Sequence, residues 1–168
     1  MAENYRPVSL TSVPCKILEH IICRHIRDHL DQHKILSIFQ HGFRRGHSCE
    51  SQLLITIQDL LQWQNRGVQV DIAVLDFAKA FDTVPHESLL GKLQSYGIDN
   101  DIQGWIRDFL TNRTQEVVVD GERSDVAPVE SGVPQGTVLG PLLFLLHIND
   151  LPDSVQSQVR TTASSTDQ

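Results

Sequence analysis

The stretch Val70-Asp71-Ile72-Ala73-Val74-Leu75-Asp76 limits the choice of folds more than any other part of this chain. It is short, follows the turn-like Asn65-Arg66-Gly67 and is apolar at nearly every position, so it reads as a strand covered on both faces. Such a strand needs a layer on each side, and the flanking sequence offers helices. Over residues 15–30 the apolar side chains Ile17, Leu18, Ile21, Ile22, Ile26 and Leu30 recur near helical spacing, with Glu19, His20, Arg24, Arg27 and Asp28 on the other face. Ser48 is placed to cap a second helix in which Leu53, Leu54, Ile57, Leu60 and Leu61 keep the same period.

Beyond the strand, Pro85 opens a helix over residues 86–96 that Gly97 stops. Asp99 caps another whose stripe is Ile102, Trp105, Ile106, Phe109 and Leu110. Asp120-Gly121, between the apolar runs 116–119 and 126–129, predicts a hairpin, and Pro128 marks it as an edge. A glycine-rich loop, Ser131-Gly132-Val133-Pro134-Gln135-Gly136, leads through Gly140-Pro141 into an apolar helix from residue 142 to about 148. Helices, one strand, helices and a hairpin in that order predict an α+β fold rather than strict βαβ alternation. The polar tail, residues 161–168, has no large apolar side chain and is expected to be disordered.

A chain of 168 residues fits one domain. No apolar run approaches the ~18 residues that span a bilayer, and the opening Met-Ala-Glu-Asn-Tyr-Arg lacks the features of a secretory signal. The expectation is an intracellular protein of nucleus or cytoplasm with no membrane contact. Its cysteines, Cys15, Cys23 and Cys49, are then reduced thiols. A net charge of -7 argues against a surface built for a polyanion. The basic character is confined to the front, where residues 1–50 hold seven basic and five acidic side chains and six of the eight histidines.

Two segments could carry chemistry. Asp76 ends the expected buried strand, where a carboxylate is costly unless its charge is compensated, by a cation, a base or a helix cap. A hard divalent cation such as Mg²⁺ would do so and keep positions open for phosphate oxygens. In the glycine-rich loop, backbone can approach a flat or anionic ligand, and the Gln135 amide offers both a donor and an acceptor. The loop lacks the Gly-Lys-Ser/Thr of a Walker phosphate cradle. His25, His29 and His33 share a helix face but form no closed ligand set, and the cysteines show no Cys-x-x-Cys pairing. His86 and His147 read as turn and helix-surface residues, Lys79 as a surface charge, and Trp105 with Phe109 as core.

Four segments in order resemble successive motifs of the reverse transcriptases encoded by non-long-terminal-repeat retrotransposons. They are Asn4-Tyr5-Arg6-Pro7-Val8-Ser9-Leu10, Gln40-His41-Gly42-Phe43-Arg44-Arg45-Gly46-His47-Ser48, Leu75-Asp76-Phe77-Ala78-Lys79-Ala80-Phe81-Asp82, and residues 131–141. The similarity extends over about residues 3–160. It implies part of a right-hand polymerase, with fingers from residues 1–69 and a partial palm from 70–160. It also implies RNA-directed DNA polymerisation, in which two Mg²⁺ ions transfer a nucleotide to a primer 3′ end. RNA template, DNA primer and deoxynucleoside triphosphates are the implied partners. By position in the motifs, Asp76 would be the first catalytic, metal-binding carboxylate, with the Phe77 carbonyl a further ligand. Phe81 would be the aromatic gate against the nucleotide sugar, Gln135 and Gly136 would line the nucleotide and template pocket, and Arg6 and Arg44 would face triphosphate or template.

One motif of that family is missing: nothing after Arg160 matches the hairpin bearing Ala-Asp-Asp, and no thumb follows. Two-ion catalysis needs carboxylates from two elements clamping ions ~3.5–4 Å apart, so this chain is expected to be catalytically defective by several orders of magnitude. The expectation is a truncated, frame-shifted or mis-spliced piece of a retrotransposon reading frame. An uncovered apolar edge at residues 70–76 would then be open to self-association. The alternative is a remnant that binds RNA or protein without catalysis.

Overall fold

The computed structural model describes residues 8–154. In chain order the elements are α1 (Val13–Gln32), α2 (Cys49–Asn65), α3 (His86–Ser95), α4 (Asn100–Leu110), β1 (Thr114–Gln115), β2 (Val118–Val119), β3 (Glu122–Arg123), β4 (Ala127–Pro128) and α5 (Gly140–Ile148), followed by a 3-10 turn at Leu151–Ser154. Helices with two small sheets make an α+β chain. It divides into two compact units, one of residues up to Ile35 with Lys79–His147, the other of Leu36–Ala78 with the residues from Ile148.

The first unit is built around α5. Its sequence, Gly-Pro-Leu-Leu-Phe-Leu-Leu-His-Ile, is apolar all round, and Leu142 to Leu146 are buried without a break, as expected of a helix surrounded by protein. Five such side chains contribute about 1.5–3 kcal/mol each by leaving water. α3 buries Leu89, Leu90 and Leu93, and α4 buries Ile106 and Leu110. The two helices pack together across a short connection. Gly97, at φ +71, stops α3 while Ile98 N–H donates to Leu93 O at 3.1 Å, and Asp99 then caps α4 through the Asp101 N–H at 2.9 Å.

The hairpin predicted around Asp120-Gly121 is present, with both turn residues at positive φ. Thr114 pairs with Pro128 and Gln115 with Ala127, while Val118 pairs with Arg123 and Val119 with Glu122. Three steps on one strand therefore face four on the other, and the extra residue splits the ladder into two short sheets, as a β-bulge does. The Ser124 hydroxyl bridges the gap by accepting from Val117 N–H at 3.0 Å.

Two sequence expectations fail here. Residues 70–76 form no strand: among the described residues the only ladders are β1 with β4 and β2 with β3. Val74 and Leu75 are 88% and 87% exposed, with Ile72 and Phe77 also open to solvent. An apolar run becomes a buried strand only when neighbours complete its hydrogen bonds, and among the described residues none pairs with this one. Secondly, α1 turns a different face inward. Glu19, Cys23, Ile26 and Leu30 are buried, whereas Ile17, Leu18 and Ile21 are exposed. The cause is polar: Glu19 accepts Val138 N–H at 2.7 Å and Leu139 N–H at 3.1 Å, which orients the first half of the helix.

In the second unit, α2 begins as expected at Ser48, which exchanges hydrogen bonds with Ser51 in a capping box. The helix buries none of its residues, and Leu53, Leu54 and Leu61 are exposed. Leu36, Gln40 and His41 are buried before it. Ser37 N–H donates to Asn149 Oδ1 at 2.8 Å, tying the start of this unit to its later segment. No helix among the described residues is long and apolar enough to cross a membrane.

Candidate functional site

The glycine-rich loop is held along its length by hydrogen bonds to the 81–84 turn, to Ser9 and within itself. At its start, Ser131 Oγ–H donates to Asp82 O at 2.8 Å, Gly132 N–H to Val84 O at 2.8 Å and Val133 N–H to Phe81 O at 2.7 Å. The loop is thereby laced to the turn over residues 81–84. Gly132 sits at φ +90, and a methyl group there would lie 2.8 Å from the carbonyl oxygens of both Phe81 and Asp82. Only glycine combines that backbone angle with so close an approach.

In the middle of the loop, Gln135 O accepts Ser9 N–H at 2.8 Å, and a Cβ on Gly136 would meet Val8 Cγ1 at 2.9 Å. At its end, Thr137 Oγ1 donates to Pro134 O at 2.7 Å and accepts Gly140 N–H at 3.0 Å. The Glu19 carboxylate covers the Val138 and Leu139 amides ahead of α5, where a helix start favours negative charge. The Gln135 side chain is half-buried, and its amide has no hydrogen-bond partner among the described residues.

Phe81 is 6% exposed and stacks on Phe144 of α5, with ring centroids 4.9 Å apart and planes 22° from parallel. The ring expected to meet a sugar is thus fixed by an aromatic neighbour and set into the wall of the unit. The backbone joins Phe81 to the Gln135 loop, so Phe81, Gln135 and Gly136 belong to one interlocked substructure.

The remaining predicted residues are placed otherwise. Asp76 and Phe77 lie on the exposed segment of the second unit, and Asp76 has no hydrogen bond or ion pair among the described residues. The expected cost of a buried carboxylate therefore gives no reason to place a cation at Asp76. A hard cation takes six or more oxygens, whereas Asp76 Oδ and the Phe77 carbonyl offer a small part of such a set. No group of three or more His, Cys, Asp or Glu side chains suited to a metal ion occurs among the described residues. The described residues do not by themselves fit a two-ion site. Arg44 is half-buried and its Nη1 donates to Ser37 O at 2.7 Å, so this guanidinium is spent partly on its own loop. Arg6 lies outside the described residues, as does the tail over 161–168.

Three residues that matter here were misread or passed over in the sequence. Glu19 looked like part of a solvated face. His86 looked like a turn residue but is buried, and its Nε2–H donates to Gly132 O at 2.9 Å. Arg113 gave no signal of its own; its Nε–H donates to Leu110 O at 2.9 Å and its Nη2–H to Gly132 O at 3.4 Å. Burial lowers the Arg113 pKa from its ordinary value. His29 is likewise committed structurally, through Nε2–H to Tyr96 O at 2.9 Å.

Residues 2–165 match the family model described as reverse transcriptase (RNA-dependent DNA polymerase). The chain is 35% identical over 150 residues to the RNA-directed DNA polymerase from mobile element jockey of Drosophila melanogaster, covering 89% of this chain and 16% of that protein. It is 32% identical over 149 residues to the probable RNA-directed DNA polymerase from transposon X-element of the same fly, covering 89% and 16%. A Pol polyprotein from the type-1 retrotransposable element R2 of Popillia japonica is 31% identical over 157 residues, covering 92% and 21%. The chain thus spans about a sixth of the length of the first two of these relatives.

Proposed function

This chain belongs to the reverse transcriptase (RNA-dependent DNA polymerase) family of non-long-terminal-repeat retrotransposons, and we propose that it forms the part of such an enzyme that receives the incoming deoxynucleoside triphosphate opposite an RNA template. In this reading residues 1–69 are fingers and 70–160 part of the palm. Gln135 and Gly136 line the nucleotide and template pocket, Phe81 stands on the sugar side, and Arg6 and Arg44 attract phosphate. The observation that supports it best is the interlock of the Gln135 loop with the Phe81–Val84 turn. Beside that close-packed backbone the Gln135 amide has no hydrogen-bond partner among the described residues. A preorganised pocket wall loses little entropy when a ligand arrives.

Asp76 is the metal-binding carboxylate of the reading. The 168 residues contain no Ala-Asp-Asp sequence, and in this reading Asp76 alone does not support two-Mg²⁺ polymerisation. The test is titration of the chain with deoxyadenosine triphosphate in Mg²⁺ buffer, alongside primer extension on an RNA template. Saturable nucleotide binding that weakens at least tenfold in Gln135→Ala, without extension product, is expected. Binding indifferent to Gln135 refutes the pocket assignment, and DNA product that disappears in Asp76→Ala refutes the inactivity.

A second reading, a non-catalytic binding remnant, is favoured by the uncovered side chains of Val74, Leu75 and α2. It predicts RNA or protein binding that does not need Mg²⁺ and is unchanged by Asp76→Ala.

A further inference from the structure

Gly132 O accepts hydrogen bonds from two side chains that come from opposite directions. His86 opens α3 and donates through Nε2–H at 2.9 Å; Arg113 follows α4 and donates through Nη2–H at 3.4 Å. Because a carbonyl oxygen can only accept, the imidazole must carry its proton on Nε2. Arg113 has no carboxylate partner among the described residues, and a guanidinium held half-buried without one is costly unless its donors are used on other acceptors. Its planar fork is used here to join Leu110 O, at the end of α4, to Gly132 O in the loop. Gly132 is also the residue whose own N–H is bonded to Val84 O and where an added Cβ would lie 2.8 Å from the Phe81 and Asp82 carbonyl oxygens. Both backbone polar groups of that residue are therefore engaged.

We propose that His86 and Arg113 are positioning residues, which by converging on Gly132 O lock the 131–136 loop onto the 81–84 turn and so set Gln135 and Gly136 in place for the nucleotide. This deepens the nucleotide-pocket reading and rests on it. Neither side chain needs to touch the ligand. Their effect passes through backbone: fixing Gly132 fixes Val133, whose N–H holds Phe81 O, and Pro134 restricts the chain between that anchor and Gln135. A loop tied only by its own backbone bonds would open locally at small cost. Two added donors make opening cost more, since charge-assisted and buried bonds are the stronger kind.

The test compares His86→Phe, which fills space without a donor, His86→Gln, whose amide N–H can replace Nε2–H, and Arg113→Lys, which keeps charge but loses the fork. Hydrogen exchange is read at the Gly132 and Val133 amides, with Ile106 in α4 as the gauge of global opening. Exchange at Gly132 and Val133 should quicken at least tenfold more than at Ile106 in His86→Phe and Arg113→Lys, with recovery in His86→Gln. Deoxyadenosine triphosphate affinity should fall fivefold or more in the first two and recover in the third. Uniform acceleration at all three amides would mean ordinary destabilisation and would overturn the proposal. Wild-type nucleotide affinity in His86→Phe despite faster loop exchange would overturn the link to the pocket. If the unaltered chain binds no nucleotide, the pocket reading fails, while the exchange comparison still decides whether the two side chains lock the loop.

Discussion

Replacing Gly132 by alanine probes the contact on which the site geometry depends. The added Cβ would sit 2.8 Å from two carbonyl oxygens and 2.9 Å from Asp82 Cα, all backbone atoms that cannot rotate away, and φ is +90. Holding an L-residue in left-handed conformation costs roughly 1–2 kcal/mol, and forcing a methyl group into filled space roughly 1–3 kcal/mol. The sum is about 2–5 kcal/mol, a large share of the ~5–15 kcal/mol that keeps a domain folded. If the loop moves to relieve the contact, it gives up the Gly132-to-Val84 and Val133-to-Phe81 bonds instead, at about 1 kcal/mol each. At ~3 °C per kcal/mol for a chain of this size, Tm should fall by about 6–15 °C in a circular-dichroism melt. Gly91→Ala and Gly104→Ala are internal controls: both glycines lie within helices with nothing inside 4 Å of the new Cβ, so each should gain about 0.5–1 kcal/mol. A Gly132→Ala protein as stable as these two controls would refute the close-packed loop and the pocket wall built on it.

Other substitutions probe separate parts of the account. Glu19→Ala should cost roughly 2–4 kcal/mol in urea denaturation by stranding two amides ahead of α5, while Glu19→Gln, which keeps an acceptor oxygen, should lose less than half of that; equal losses would show that the oxygen is not what matters. Asp76→Asn should leave stability within about 0.5 kcal/mol, because the side chain is exposed and has no bonding partner among the described residues, and a larger change would mean that Asp76 has a structural partner. Amides over residues 70–77 should exchange at near-unprotected rates in the isolated chain, and slow exchange there would restore the strand that the structure lacks. Desolvation, first, and then the nearby His47 and Arg44 lower the His41 pKa from 6.5. The unfolded chain then binds the proton more readily, so His41's contribution is complete above pH 6.5 and declines as pH falls through the lower folded value. His41→Gln should flatten stability against pH in that window, and an unchanged slope would assign it to other groups.

Much of the local structure was legible because short-range rules settle it. Ser48 and Asp99 as caps, Gly97 as a stop and Asp120-Gly121 as a turn each depend on a few neighbouring residues, and each lies where the sequence puts it. What depends on distant partners was not legible. The run at 70–76 has the composition of a buried strand, but pairing is a property of neighbours and not of the run itself. Glu19 reads as part of the polar face of α1 because it falls opposite the apolar stripe with His20 and Arg24; its partners, Val138 and Leu139, are more than a hundred residues away. His86 and Arg113 were invisible as a pair for the same reason, since they meet only at Gly132 O. The motif loop was identified by its glycines and Gln135, and the physical need for Gly132 became clear only with the Phe81 and Asp82 carbonyls against it.

We propose Asp76 as a metal-binding carboxylate by its place in the family motif, on the exposed segment before residue 78. Titrating the chain with Mn²⁺ and counting bound ions by electron paramagnetic resonance tests it most directly. The account predicts weak binding at a single site that Asp76→Asn abolishes. Two tightly held, mutually coupled ions, or a bound ion indifferent to Asp76→Asn, would contradict it.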